Sequence, residues 1–121
     1  MTGSAFSLSA AIPAGGFAVT QGEPAVGGLH GPSRHYHCAY CMSWIFTRPE
    51  AIDAFVTLRP TMLDDASGLA PFIETMTREK LPWATTPARH SFEGWPPADA
   101  YEGLARAFAA QAGGADLRAG G

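Results

Sequence analysis

Glycine and proline set the first limit on what this chain can fold into. Ten prolines and fourteen glycines interrupt 121 residues, and every proline falls at or before Pro97. Punctuation this dense leaves room for short strands and tight turns, and it excludes long helices from the first two-thirds of the chain. Only after Pro96-Pro97 does a helical pattern open, at a place where proline costs little because first-turn amides lack intrahelical partners. Tyr101, Leu104, Ala105 and Phe108 then follow the helical period as one apolar stripe, expected to cover the sheet.

Between the breaks the pattern predicts strands. Ala5–Ile12 alternates loosely and stops at Pro13. Ala14-Gly15-Gly16 reads as a turn and Phe17–Thr20 as a returning strand, so a hairpin is expected there. A weak strand over Val26–His30 is bracketed by Gly22-Glu23-Pro24 and Gly31-Pro32. Arg34–Cys38 and Ser43–Thr47 are the arms of a tight hairpin. Ala54–Leu58 and Phe72–Thr77 have the aromatic and β-branched content of half-buried strands. Thr61–Pro71 and Glu79–Pro97 read as loops, and the tail from Ala112 is expected to be disordered.

The formal net charge is −3, with no basic run interleaved with aromatics, which argues against nucleic acid as a partner. No apolar run is long enough to span a bilayer, and the first residues carry no signal-peptide pattern. These readings lead to an expected cytoplasmic protein without a membrane partner.

The hairpin arms enclose the only two cysteines, Cys38 and Cys41. A two-residue spacer on a turn between strands lets both sulfurs face one ion at about 2.3 Å, as zinc knuckles require. The position after the second cysteine often needs a positive φ and holds glycine; here it is Met42, so strain or a different turn shape is expected. Two other readings stand beside zinc. Redox chemistry needs the pair at the start of a helix, and the strand-like Ser43-Trp44-Ile45-Phe46 does not supply one. Alternatively, both thiols are small buried apolar groups. Zinc takes four ligands, so a complete site needs two more. His30, His35 and His37 are near in sequence. His35 and His37 share a strand face, whereas His37 and Cys38 point to opposite faces. Two chains pooling their pairs across a twofold axis would also supply four thiolates.

Taken in order, several segments resemble the glutathione-dependent formaldehyde-activating enzymes, a family that includes the centromere protein V-like domains. Thr2-Gly3-Ser4-Ala5-Phe6 is similar to the segment that follows that family's catalytic cysteines. Gln21-Gly22-Glu23-Pro24 is similar to its next turn. Arg34-His35-Tyr36-His37-Cys38 through Ser43-Trp44-Ile45-Phe46-Thr47-Arg48 resembles its second zinc knuckle. Thr61-Met62-Leu63-Asp64-Asp65, Pro71-Phe72-Ile73-Glu74 and Leu81-Pro82-Trp83-Ala84 resemble its later half. The resemblance implies a mainly β fold, with antiparallel β-sheets around a zinc knuckle and one C-terminal helix. It implies residues 1–97 as an N-terminally truncated domain of that type, 98–111 as the helix of the same domain and 112–121 as a tail. Cys38 and Cys41 would be half of a structural zinc site. The family's reaction is carbon–sulfur lyase chemistry on glutathione–formaldehyde adducts at a second zinc held by a Cys-x-Cys-x-x-Cys motif. That motif and the first Cys-x-Cys-Gly knuckle are missing from this sequence, so the resemblance implies no catalytic residue here and an inactive chain as it stands. A truncated sheet would leave an edge open for another molecule.

Two readings follow. One is a family member whose sequence starts late, with Met1 an internal methionine. The other is a short non-catalytic β domain, a homodimer with a half or shared zinc site or a protein without metal. Asp64-Asp65 reads as a solvated or capping pair and Trp83 as rim or core packing. His90 with Glu93 near Trp95 reads as a surface loop, and Arg78-Glu79-Lys80 as an exposed turn in which Arg78 or Lys80 faces a glutathione carboxylate only if such a ligand binds.

Overall fold

The computed structural model describes residues 3–27, 31–50 and 52–115, with side chains to residue 111. The chain divides into two compact units, residues 1–67 and 68–121. It is mainly β, with an antiparallel sheet in the first unit and one C-terminal helix in the second.

The first unit is a five-stranded sheet of β1 (Ala10–Pro13), β2 (Ala25–Gly27), β3 (Arg34–His37), β4 (Trp44–Arg48) and β5 (Phe55–Leu58). Its order is β1-β5-β4-β3-β2, with every neighbouring pair antiparallel. Period-two alternation separates two faces. Ile12, Tyr36, Phe46, Val56 and Leu58 share one, through the pairs Ile12↔Val56, Tyr36↔Phe46 and Phe46↔Leu58. Val56 is 1% exposed and Phe46 3% exposed, so this face is the core. Tyr36 and Phe46 stack with ring centroids 4.5 Å apart, and Phe17 tilts against Phe46 at 4.7 Å. Arg48 lays its guanidinium over both phenylalanines.

The hairpin expected from Ala5–Ile12 and Phe17–Thr20 does not form. β1 pairs with β5 instead. Ala14–Gly16 makes a 3-10 turn, fastened by Ala14 N–H donating to the Ala54 carbonyl at 3.0 Å. Phe17 leaves that turn with its ring committed to Phe46, so packing outweighs local pairing. The strand expected at Val26–His30 is β2, one residue earlier at its start; Leu29 and His30 lie outside the described residues.

The opposite face of the sheet is polar. It carries His35 and His37 on β3, Thr47 on β4 and Thr57 on β5, joined by the pairs His35↔Thr47 and Thr47↔Thr57. In β4 the register steps from Tyr36↔Phe46 to His37↔Trp44, which makes Ile45 an extra residue. The bulge turns Trp44 onto the polar face, where plain alternation from Thr47 would place it on the other.

The second unit holds β6 (Ile73–Glu74), β7 (His90–Ser91) and α1 (Tyr101–Ala115). β6 and β7 run parallel. The expected strand Phe72–Thr77 shortens to two residues, because Met76 turns left-handed at φ 56 and Thr77–Glu79 closes a 3-10 turn. The long stretch after Glu79 is laced to this segment by Phe92 N–H to the Glu74 carbonyl, Thr77 N–H to Phe92 and Met76 N–H to Gly94. Phe72 sits at the centre, 9% exposed, against His90 and Phe108. The apolar stripe of α1 stays largely open: Tyr101 and Phe108 remain 48% and 42% exposed, and the Phe108 ring meets Phe72 edge-on. The helix includes Ala112–Ala115, which the sequence assigned to the tail; residues 116–121 lie outside the described residues.

Candidate metal centre at the β3–β4 hairpin

Cys38 and Cys41 stand on the turn between β3 and β4. The turn is closed by Cys38 N–H donating to the Ser43 carbonyl at 2.9 Å and Met42 N–H donating to the Cys38 carbonyl at 2.8 Å. Met42 takes φ 62, one of two described non-glycine residues in the left-handed region. The conformation that usually calls for glycine after the second cysteine is thus adopted by a methionine, at a cost of roughly 1–2 kcal/mol. The turn is strained at Met42, one of the two outcomes that its sequence predicts.

Cys41 Sγ lies 3.1 Å from the Ser43 hydroxyl. The Ser43 side chain, then its backbone amide, then the Cys38 thiol hold the Cys41 thiol below its ordinary value of 9.0. These hydrogen bonds favour the thiolate, the form that binds metal. Cys41 is exposed and Cys38 half-buried, and neither is in a disulfide. Partial exposure of one and full exposure of the other do not fit a pair of buried apolar thiols. Ser43 is the contact of this candidate site that sequence reading missed. Its signal is a hydroxyl two positions after the second cysteine, where the turn folds it back onto the sulfur.

Among the described residues no three of His, Cys, Asp and Glu come together in a group that could hold a metal. Cys38 and Cys41 thus have no third candidate ligand beside them among the described residues. His35 and His37 do share a face, as expected. His35 Nδ1 is 2.8 Å from the Thr47 hydroxyl, and its ring meets Trp44 edge-on. His37 is 9% exposed, with Nδ1 buried and unpartnered. His30 lies outside the described residues.

The other candidates lie apart from the cysteine pair in sequence and are placed as follows. Asp65 accepts from the Ser67 amide at 3.0 Å and its hydroxyl at 2.6 Å, a local turn cap that lowers its carboxyl's pKa. Lys80 faces Glu74 at 3.7 Å. Arg78 and Glu79 are exposed on the 3-10 turn, as expected. Trp83 and Trp95 are 69% and 72% exposed, so Trp83 is not a packed residue of its unit.

No protein-family model, no curated protein and no solved structure matches the chain.

Proposed function

We propose that this chain is a non-catalytic β domain whose β3–β4 hairpin is half of a structural zinc site, completed by the same hairpin of a second copy. The observation that carries the reading is the Cys41 sulfur. It sits on a turn with a left-handed residue after it, hydrogen-bonds to the Ser43 hydroxyl at 3.1 Å and lies beside the Cys38 thiol, contacts that lower its pKa. That is how a thiolate pair is prepared for a metal, and soft thiolates select zinc over hard cations.

A second copy is the supplier that the local surface suits. Structural zinc takes four ligands in a tetrahedron, and two knuckles related by a twofold axis provide four thiolates. The tip from Cys38 to Ser43 has no Asp, Glu, Lys or Arg, so the like charges that meet there are the thiolates themselves, which the zinc ion between them offsets. Tyr40 is 97% exposed and Met42 59% exposed, which gives each tip apolar surface to bury on its partner.

The resemblance to formaldehyde-activating enzymes assigns Cys38 and Cys41 the same structural role. Lyase activity on a glutathione adduct would need further cysteines, and the sequence has only these two. The reading is tested by titrating zinc into the metal-free chain and following mass by size-exclusion chromatography with light scattering. Dimer should form with zinc, revert to monomer with chelator and be lost in Cys41→Ser. A monomer at every zinc concentration would overturn the proposal.

A further inference from the structure

The polar face of the sheet carries a cation, Arg59, that makes no ion pair among the described residues. Arg59 follows β5 and is pinned by its own backbone, its N–H donating to the Ile45 carbonyl at 2.9 Å. Its guanidinium carbon lies 4.1 Å from the centre of the Trp44 ring. Nη1 donates to the Ser9 hydroxyl at 3.2 Å. A guanidinium has five N–H donors in a rigid plane. Stacking uses its face and Ser9 uses one donor, so among the described residues an edge of the fork has no partner.

The surroundings are short of negative charge. The ion pairs among the described residues are Lys80–Glu74 and Arg106–Glu102, both in the other unit. No strand of the five-stranded sheet contains Asp or Glu. The neighbours around Trp44 are hydroxyls and imidazole: Thr47, whose hydroxyl accepts from the Trp44 indole N–H at 3.0 Å, and His35. Arg59 is half-buried, and that burial lowers its pKa. A partly desolvated cation without a counter-charge among the described residues is held ready for an external one. The Ile45 bulge makes the arrangement, because it brings Trp44 to the face where Arg59 can lie on it.

We infer that Arg59, stacked on Trp44 beside Ser9, binds the oxyanion of a small molecule bearing a carboxylate or a phosphate. The remaining edge of the fork matches two oxygens of either group, which a lysine at the same place would not. The site does not depend on zinc at the hairpin.

The test is a titration of the isotope-labelled full chain at constant ionic strength, with acetate and inorganic phosphate as separate probes and chloride as control. The readout is the indole N–H resonance of Trp44, assigned by elimination with Trp83→Phe and Trp95→Phe. Saturating shifts with acetate, phosphate or both are expected in the wild type, and which probe saturates identifies the group. In Arg59→Gln the midpoint should rise at least about tenfold, as loss of a charge-assisted pair implies. In Arg59→Lys it should rise several-fold, which also decides the matter if the glutamine variant loses its fold. Linear shifts no larger than those with chloride would overturn the inference, as would an unchanged midpoint in Arg59→Lys.

Discussion

Trp44 and Thr47 stand three residues apart on one strand, yet the Trp44 indole N–H donates to the Thr47 hydroxyl at 3.0 Å. Alternation alone would put them on opposite faces, and the extra residue Ile45 brings them together. The same hydroxyl meets His35 Nδ1 at 2.8 Å. Thr47 is 7% exposed, so its hydroxyl is a buried hub. Thr47→Val keeps the shape, removes both bonds and leaves the Trp44 donor without its partner. A loss of about 1–3 kcal/mol is expected by urea denaturation. A change within about 0.5 kcal/mol, the range of an ordinary surface substitution, would show that the hub is idle.

Gly27 lies over His37. A Cβ at Gly27 would come within 3.1 Å of His37 Nδ1 and 3.2 Å of Cε1. His37 is buried and has little room to retreat. Gly27→Ala should therefore cost about 1–3 kcal/mol, the usual scale of overpacking. His37→Ala in the same chain should make Gly27→Ala nearly neutral. An equal cost of the alanine with and without the imidazole would refute the contact.

Met42 is exposed and left-handed, so its side chain contributes little packing while its backbone is strained. Met42→Gly should stabilise the metal-free chain by about 1 kcal/mol, glycine's entropy in the unfolded state offsetting part of the relief. Equilibrium unfolding with chelator present measures this. Destabilisation would mean that the Met42 side chain holds the turn.

Glu74 carries a pH dependence. Hydrogen bonds from Ser91 and Thr86, with Lys80 nearby, hold its carboxyl below the ordinary value of 4.5. A group with a lowered folded pKa contributes stability that is fully present above its unfolded value. That contribution is lost as pH falls through the folded one. Glu74→Gln should therefore be less stable than wild type near neutral pH, with the gap closing below about pH 4.5 as the carboxyl protonates. Denaturation midpoints across that range report it. A gap independent of pH would assign the effect to shape, not charge.

The strands flanking the cysteines were legible because β-branched and aromatic residues lie between clear breaks, and the tight turn that carries Cys38 and Cys41 because its spacing is local. The late helix was legible for the same reason. The hairpin at Ala5–Thr20 was misread because the partner of β1 lies more than forty residues away in β5, and period-two alternation names no partner. The roles of Ser43 and Arg59 were hidden because each depends on a fold-back. Ser43 returns to a sulfur across a tight turn, and Arg59 reaches Trp44 only through a bulge that leaves no local mark. His90 illustrates the opposite case. The sequence placed it in a loop, and its ring packs on Phe72 because β7 runs beside β6.

The central claim is a zinc ion shared by two Cys38–Cys41 pairs, and native mass spectrometry of the zinc-loaded chain tests it most directly. The account predicts a dimer carrying one zinc, with the ion and the dimer both lost in Cys41→Ser. A monomer carrying one zinc, or a dimer of unchanged mass after chelation, would contradict it.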